Sequence, residues 1–214
     1  METTLPLVVT GGLASGINAY LVVLLTGLLG RYGGFDAVPD ALQRTDVLVA
    51  AAVLFAIEFV TDKIPYVDSL WDSIHTIIRP AIGATLGALL AGDASSLDQA
   101  FYAATGGVSA LASHSVKAGF RLAVNTSPEP VTNVVTSLAE DVSVAGVIML
   151  ASVAPWLALG IALFLLLFGI VVVIALARQI RKFVAWWRGP RDPVGPAGPR
   201  RGGGRRPRST APPR

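Results

Sequence analysis

Residues 157–177 read LALGIALFLLLFGIVVVIALA, 21 residues without a charge. A membrane-crossing helix needs about 20 mainly apolar residues, and this stretch meets that need alone. Its C-terminal flank fixes its setting. Arg178, Arg181 and Lys182 abut it, and Trp186-Trp187-Arg188 follows. Aromatic rings beside long cationic stems anchor a span at headgroup depth. Toward the N-terminus, helical runs of the same kind are expected at 5–29, 47–60, 67–92, 98–124 and 131–154. The fold expected is all-α: a polytopic membrane helix bundle of about six spans.

Composition agrees. The 214 residues are 53% hydrophobic and only 14% charged, with a mean hydropathy of +0.62. Soluble domains average about 25% charged, so there is too little charge here for an ordinary water-facing surface. Residues 178–214 hold eleven Lys/Arg and one acid, while 1–177 hold six bases and thirteen acids. The positive end marks the cytoplasmic side of a membrane protein rather than a nucleic-acid surface. No nucleic-acid partner is expected. The N-terminus lacks the positive region of a signal peptide and is expected to persist as a helix.

Six spans with the basic end inside put the N-terminus inside too. The location expected is the bacterial inner (plasma) membrane, multi-pass, with both termini cytoplasmic. The outside loops, 31–46 and 93–98, carry two bases and five acids. Residues 1–188 form the transmembrane domain. From 189 to 214, Gly, Pro and Arg dominate, a composition that buries nothing and predicts a disordered basic tail.

Two internal resemblances suggest a repeat. Gly11-Gly12-Leu-Ala-Ser15 resembles Gly106-Gly107-Val-Ser-Ala110, and Pro65-x-x-Asp68-x-x-x-Asp72 resembles Pro130-x-x-Asn133-x-x-x-Ser137. The simplest account is two three-helix halves, about 1–92 and 98–188, inverted in the membrane, with helices broken or re-entrant at the double glycines. Transporters often use this plan, with the site at the repeat interface. Gly12-x-x-x-Gly16 and Gly83-x-x-x-Gly87 are small-residue faces that let helices approach closely, within one chain or between copies in a homo-oligomer.

The polar residues follow helical spacing. Glu58 and Asp62 are four apart. Asp68, Asp72, His75 and Arg79 form one stripe, and His114, Lys117 and Arg121 another. Asn133 and Ser137 lead to Glu140 or Asp141, and Asn18 follows the first double glycine. Acidic helix two and basic helix four invite pairing across the bundle. Charges inside spans are costly and face the bundle interior or water. Glu58 is too far inside its run to reach the surface.

With no cysteine, thiolate chemistry and disulfides are excluded, and no histidine pair has metal-site spacing. No catalytic or nucleotide-binding motif occurs. Neither enzyme activity, cofactor nor metal site is expected.

The runs GLASGINAY (12–20), EFVTDKIPYVD (58–68) and the spaced Ser113, His114, Lys117, Arg121, Asn125 and Ser127-Pro-Glu-Pro130 resemble a bacterial integral-membrane family catalogued only as a domain of unknown function. The resemblance covers about 1–180. It implies a membrane protein whose polar runs define the family, and it implies no activity.

The function expected is a small transporter or channel for an ion or small polar solute. Its path would be lined by Asn18, Glu58, Asp62, Asp68, Asp72, His75, Arg79, His114, Lys117, Arg121 and Asn133. The competing expectation is a membrane scaffold whose charges are structural ion pairs. Besides lipid, the partner is then the solute or an assembly subunit.

Overall fold

A computed structural model describes residues 3–125 and 130–187. Among them there is no strand. The helices are α1 (Thr4–Tyr32), α2 (Asp40–Gln43), α3 (Thr45–Thr61), α4 (Val67–Leu90), α5 (Ser96–Val124), α6 (Pro130–Val153) and α7 (Pro155–Trp187). The tail at 189–214 and the 126–129 part of the expected turn lie outside the described residues. Local chemistry explains the boundaries. Ser95 caps α5 by accepting the Asp98 N–H at 3.2 Å, and its own hydroxyl donates to the Asp98 carboxylate at 2.7 Å, which fixes the serine as an N-cap. Proline opens α6 and α7, where its missing N–H costs nothing.

Among the described residues, four helices are fit by length and composition to cross a membrane: α1, α4, α6 over Val131–Val153, and α7. α3 has only 17 residues, and small and polar residues dilute α5. The burial pattern is that of a protein made for lipid. The largest fully buried side chains include Arg79, Arg121, His75, His114 and Glu58. Ile77, Phe164, Phe168 and Val171 lie exposed on α4 and α7. Charge is inside and apolar surface outside, which water would not sustain.

α1 is the axis of the bundle, packed against α3, α4, α5, α6 and α7. The most apolar of these four, α7, is peripheral, with only 11% of its apolar stretch buried against protein. Segment hydrophobicity therefore does not rank helices by depth in the protein, since α7 sheds most of its apolar area into the surrounding solvent of its own kind.

The helix break is not where the double glycines placed it. α5 continues across Gly106-Gly107, and α1 continues across Gly11-Gly12 and breaks at Asn18 (φ −145°, ψ 94°). A glycine costs a helix only about 1 kcal/mol relative to alanine, too little to break a packed one. The glycines serve contact instead. A Cβ on Gly12 would stand 2.6 Å from the Gly106 carbonyl oxygen, and one on Gly83 would stand 2.7 Å from the same atom. α1, α4 and α5 thus cross on bare backbone. Gly16 meets Ala110 and Ser113, and Gly87 meets Tyr102, so both small-residue faces are used within the chain.

Candidate functional site

The break in α1 organises the site. At Asn18 the backbone leaves the helix, and the Asn18 side-chain oxygen accepts the Leu21 N–H at 3.0 Å. Asn18 thereby caps the second half of α1 from inside the helix. The first half ends with carbonyls that have lost helical partners. Two cations take them: Lys117 Nζ donates to Ile17 O at 2.9 Å, and Arg79 donates to Gly16 O at 3.3 Å. A helix C-terminus carries partial negative charge and favours cations. On the other side of the break, Asn18 Nδ2 donates to Asp141 at 2.9 Å.

Around this break α3, α4, α5 and α6 contribute a single ion network. Arg79 holds Glu58 at 2.7 Å and Asp72 at 2.9 Å. Lys117 Nζ lies 2.7 Å from Asp62, 3.4 Å from Glu140, 3.7 Å from Glu58 and 4.0 Å from Asp72. Arg121 reaches Glu140 at 2.6 Å, Asp68 at 3.5 Å and Asp62 at 3.6 Å. Asn125 and Asn133 donate to Asp68 at 2.9 and 3.4 Å. The turn between α3 and α4 brings Asp62 and Asp68 to the same place. Tyr66 adopts φ 69° there, a left-handed conformation costing about 1–2 kcal/mol for a residue with a Cβ.

The histidines are bonded in fixed tautomers. Arginine only donates, so His114 Nδ1 accepts from Arg79 at 2.8 Å and Nε2 carries the hydrogen. That hydrogen goes to Thr76 Oγ1 at 3.1 Å. His75 Nδ1 faces the Trp71 carbonyl at 2.8 Å and must donate to it. Its Nε2 is then bare and accepts the Tyr20 hydroxyl at 2.9 Å.

All eleven residues singled out from the sequence are buried. Nine are tied to one another by these contacts, and Asn18 is joined to Asp141 beside them. His75 stands at the edge, bonded instead to Tyr20 and Trp71. The acidic α3 and basic α5 do pair, through Asp62 with Lys117 and Arg121. Sequence reasoning missed Tyr20, Thr76 and the Asn125 amide as partners. Tyr20 and Asn125 left a signal, inside the family-like runs at 12–20 and 113–130, and Thr76 left none. Among the described residues, no group of three acidic or histidine side chains is placed to hold a metal ion.

The network is neither balanced nor saturated. These contacts join five carboxylates, Glu58, Asp62, Asp68, Asp72 and Glu140, to three cations, Arg79, Lys117 and Arg121. Glu58 Oε2, Asp62 Oδ1 and Asp72 Oδ2 are buried and accept no hydrogen bond. Beside the network, a cavity of about 360 Å³ lies between α1, α5, α6 and α7, with Lys117 and Glu140 in its wall.

The model of the family described as Domain of unknown function (DUF4126) matches residues 5–175. The chain belongs to that family. No curated protein and no solved structure matches it. The DUF4126 region ends just before the cationic flank of α7 and contains the whole ion network.

Proposed function

We propose that this DUF4126 protein is a small carrier that moves protons or small cations across the membrane. The observation that carries the reading is the excess of carboxylates in a buried network. Net charge in a low-dielectric interior is prohibitively costly unless neutralised. Two more acids than bases therefore call for bound protons or a cation, and the unpartnered oxygens of Glu58, Asp62 and Asp72 are where they would sit. The broken α1 adds support, since discontinuous helices whose freed carbonyls meet charge recur at transporter sites. So does the packing of the sequence-matched segments on one another, Gly12 against Gly106 and Asp68 against Asn133, as an inverted repeat would require. In this reading all six long helices cross the inner membrane, both termini are cytoplasmic, and the protein is not an enzyme.

Proteoliposomes containing a pH-sensitive dye provide the test. The parent protein should dissipate an imposed cation or proton gradient, and Glu58→Gln should abolish the flux while leaving the elution profile unchanged. One observation favours a scaffold instead: Glu58 has no solvent exposure and its other oxygen is held by Arg79. Parent liposomes that move neither protons nor a panel of cations and anions would decide for the scaffold.

A further inference from the structure

The cavity between α1, α5, α6 and α7 has walls of Val116, Phe120, Val147 and Leu165, and its one charged stretch is Lys117 with Glu140. Its volume of about 360 Å³ lies within the about 300–1,000 Å³ typical of small-molecule sites. Glu140 is the most accessible carboxylate of the network, its side chain 16% exposed against 0–3% for the other four. The network thus meets the apolar cavity through Glu140.

We propose that this cavity binds a lipophilic monocation, with its charged centre against Glu140 and its apolar body among α5, α6 and α7. The proposal rests on the reading of the network as cation-accepting and adds a second class of cation, held in the cavity beside it. The sign of the ligand follows from the local charges. Lys117 stands in the wall, yet four carboxylates lie within 4.0 Å of its Nζ, so the region remains acid-rich. The unpartnered Asp62 Oδ1 and Asp72 Oδ2 belong to two of those four carboxylates, and a third cation beside Glu140, added to Arg121 and Lys117, relieves the excess they leave. An anion would add to it. The walls select for an apolar body: a hydrated inorganic ion gains nothing from Val116, Phe120, Val147 and Leu165, whereas a lipophilic one is desolvated there at little cost. Such a molecule dissolves in the bilayer and needs no aqueous path to the site.

Equilibrium dialysis of purified protein in detergent tests this with two ions of matched size and opposite charge. Tetraphenylphosphonium should bind saturably above the micelle background, and tetraphenylborate should not. Ala139 lines the cavity and its side chain is exposed, so Ala139→Trp fills the space without touching the folded core. It should weaken phosphonium binding about tenfold or more, as should Glu140→Gln, the scale expected for loss of a charge partner. Glu140→Asp should restore part of the affinity. Equal binding of both ions, unchanged affinity in Ala139→Trp, or displacement of the phosphonium by a neutral phospholipid would each overturn the proposal. Glu58-dependent proton flux without phosphonium binding would overturn the cavity and leave the carrier standing. Phosphonium binding in a protein that moves no ion would do the reverse.

Discussion

Arg121 lies fully buried, donates to Glu140 at 2.6 Å and to the Asp62 carbonyl at 2.8 Å, and faces Asp68 at 3.5 Å. Truncating it strands acids contributed by α3, α4 and α6. Breaking a buried pair in this way costs about 3–5 kcal/mol. Arg121→Ala should therefore lose about that much stability in a denaturant titration in detergent. Glu58→Gln should lose much less, because the amide oxygen keeps the Arg79 bond and one charge leaves an acid-rich site. Equal stability of Arg121→Ala and the parent would mean that Arg121 is hydrated and unpaired. These side chains were legible in the sequence because helical spacing aligned them and no other purpose explains charges within apolar runs. The Tyr20 and Thr76 bonds to the histidines were not. They depend on how α1, α4 and α5 are rotated against one another, which a one-dimensional pattern does not carry.

Helices α1, α4 and α5 touch where glycine removes the side chain, and that makes the glycines unequal. Gly83→Val would drive its Cβ into the Gly106 carbonyl and the Ala110 methyl, each 2.7 Å away. Overpacking of this kind costs about 1–3 kcal/mol. A Cβ on Gly11 would meet nothing within 4 Å, so Gly11→Ala should be neutral or stabilising by up to about 1 kcal/mol through helix propensity. Thermal unfolding of the two variants side by side checks the contrast, and similar losses in both would refute it. Asn18→Leu removes the internal cap on Leu21 and the bond to Asp141, so it should cost about 1–2 kcal/mol, the upper range for a lost cap. The extents of α1 and α3 to α6 were legible from apolar runs and prolines, whereas α7 continues past the expected end at 177 through its cationic flank to Trp187. The position of the break was not, because helix-breaking signals were sought in glycine, whereas the backbone yields where an asparagine can cap a new start.

At the scale of the molecule, orientation is the open quantity, and the absence of cysteine makes it measurable. Ser95→Cys, in the loop between α4 and α5, and Ala185→Cys, near the end of α7, are each the sole thiol in their variants. In intact cells an impermeant maleimide should label the first and spare the second. Labelling of both from outside would overturn the topology with cytoplasmic termini. The membrane class itself was legible from bulk composition, since a charge content of 14% leaves no other surface. The balance of the network was not, because a count of charges in sequence does not say which of them meet.

The link between Asp62 and Lys117 spans 55 residues of chain, and this has a consequence in time. At a synthesis rate of about 5–20 residues/s, the carboxylate is made about 3–11 s before its partner exists. During that interval α3 has no lysine or arginine from α5 to share the bilayer with. The short α3 should therefore wait at the water boundary, and seal into the membrane only after α5 has been delivered. Nascent chains arrested before Lys117 should leave an Ala51→Cys thiol open to a water-soluble maleimide, and chains arrested after α6 should protect it. Protection in the shorter chains would mean that α3 enters with its acids already neutralised. On the expected outcome, the protein's inner charges are assembled by order of arrival, with the first half of the chain held ajar for the second.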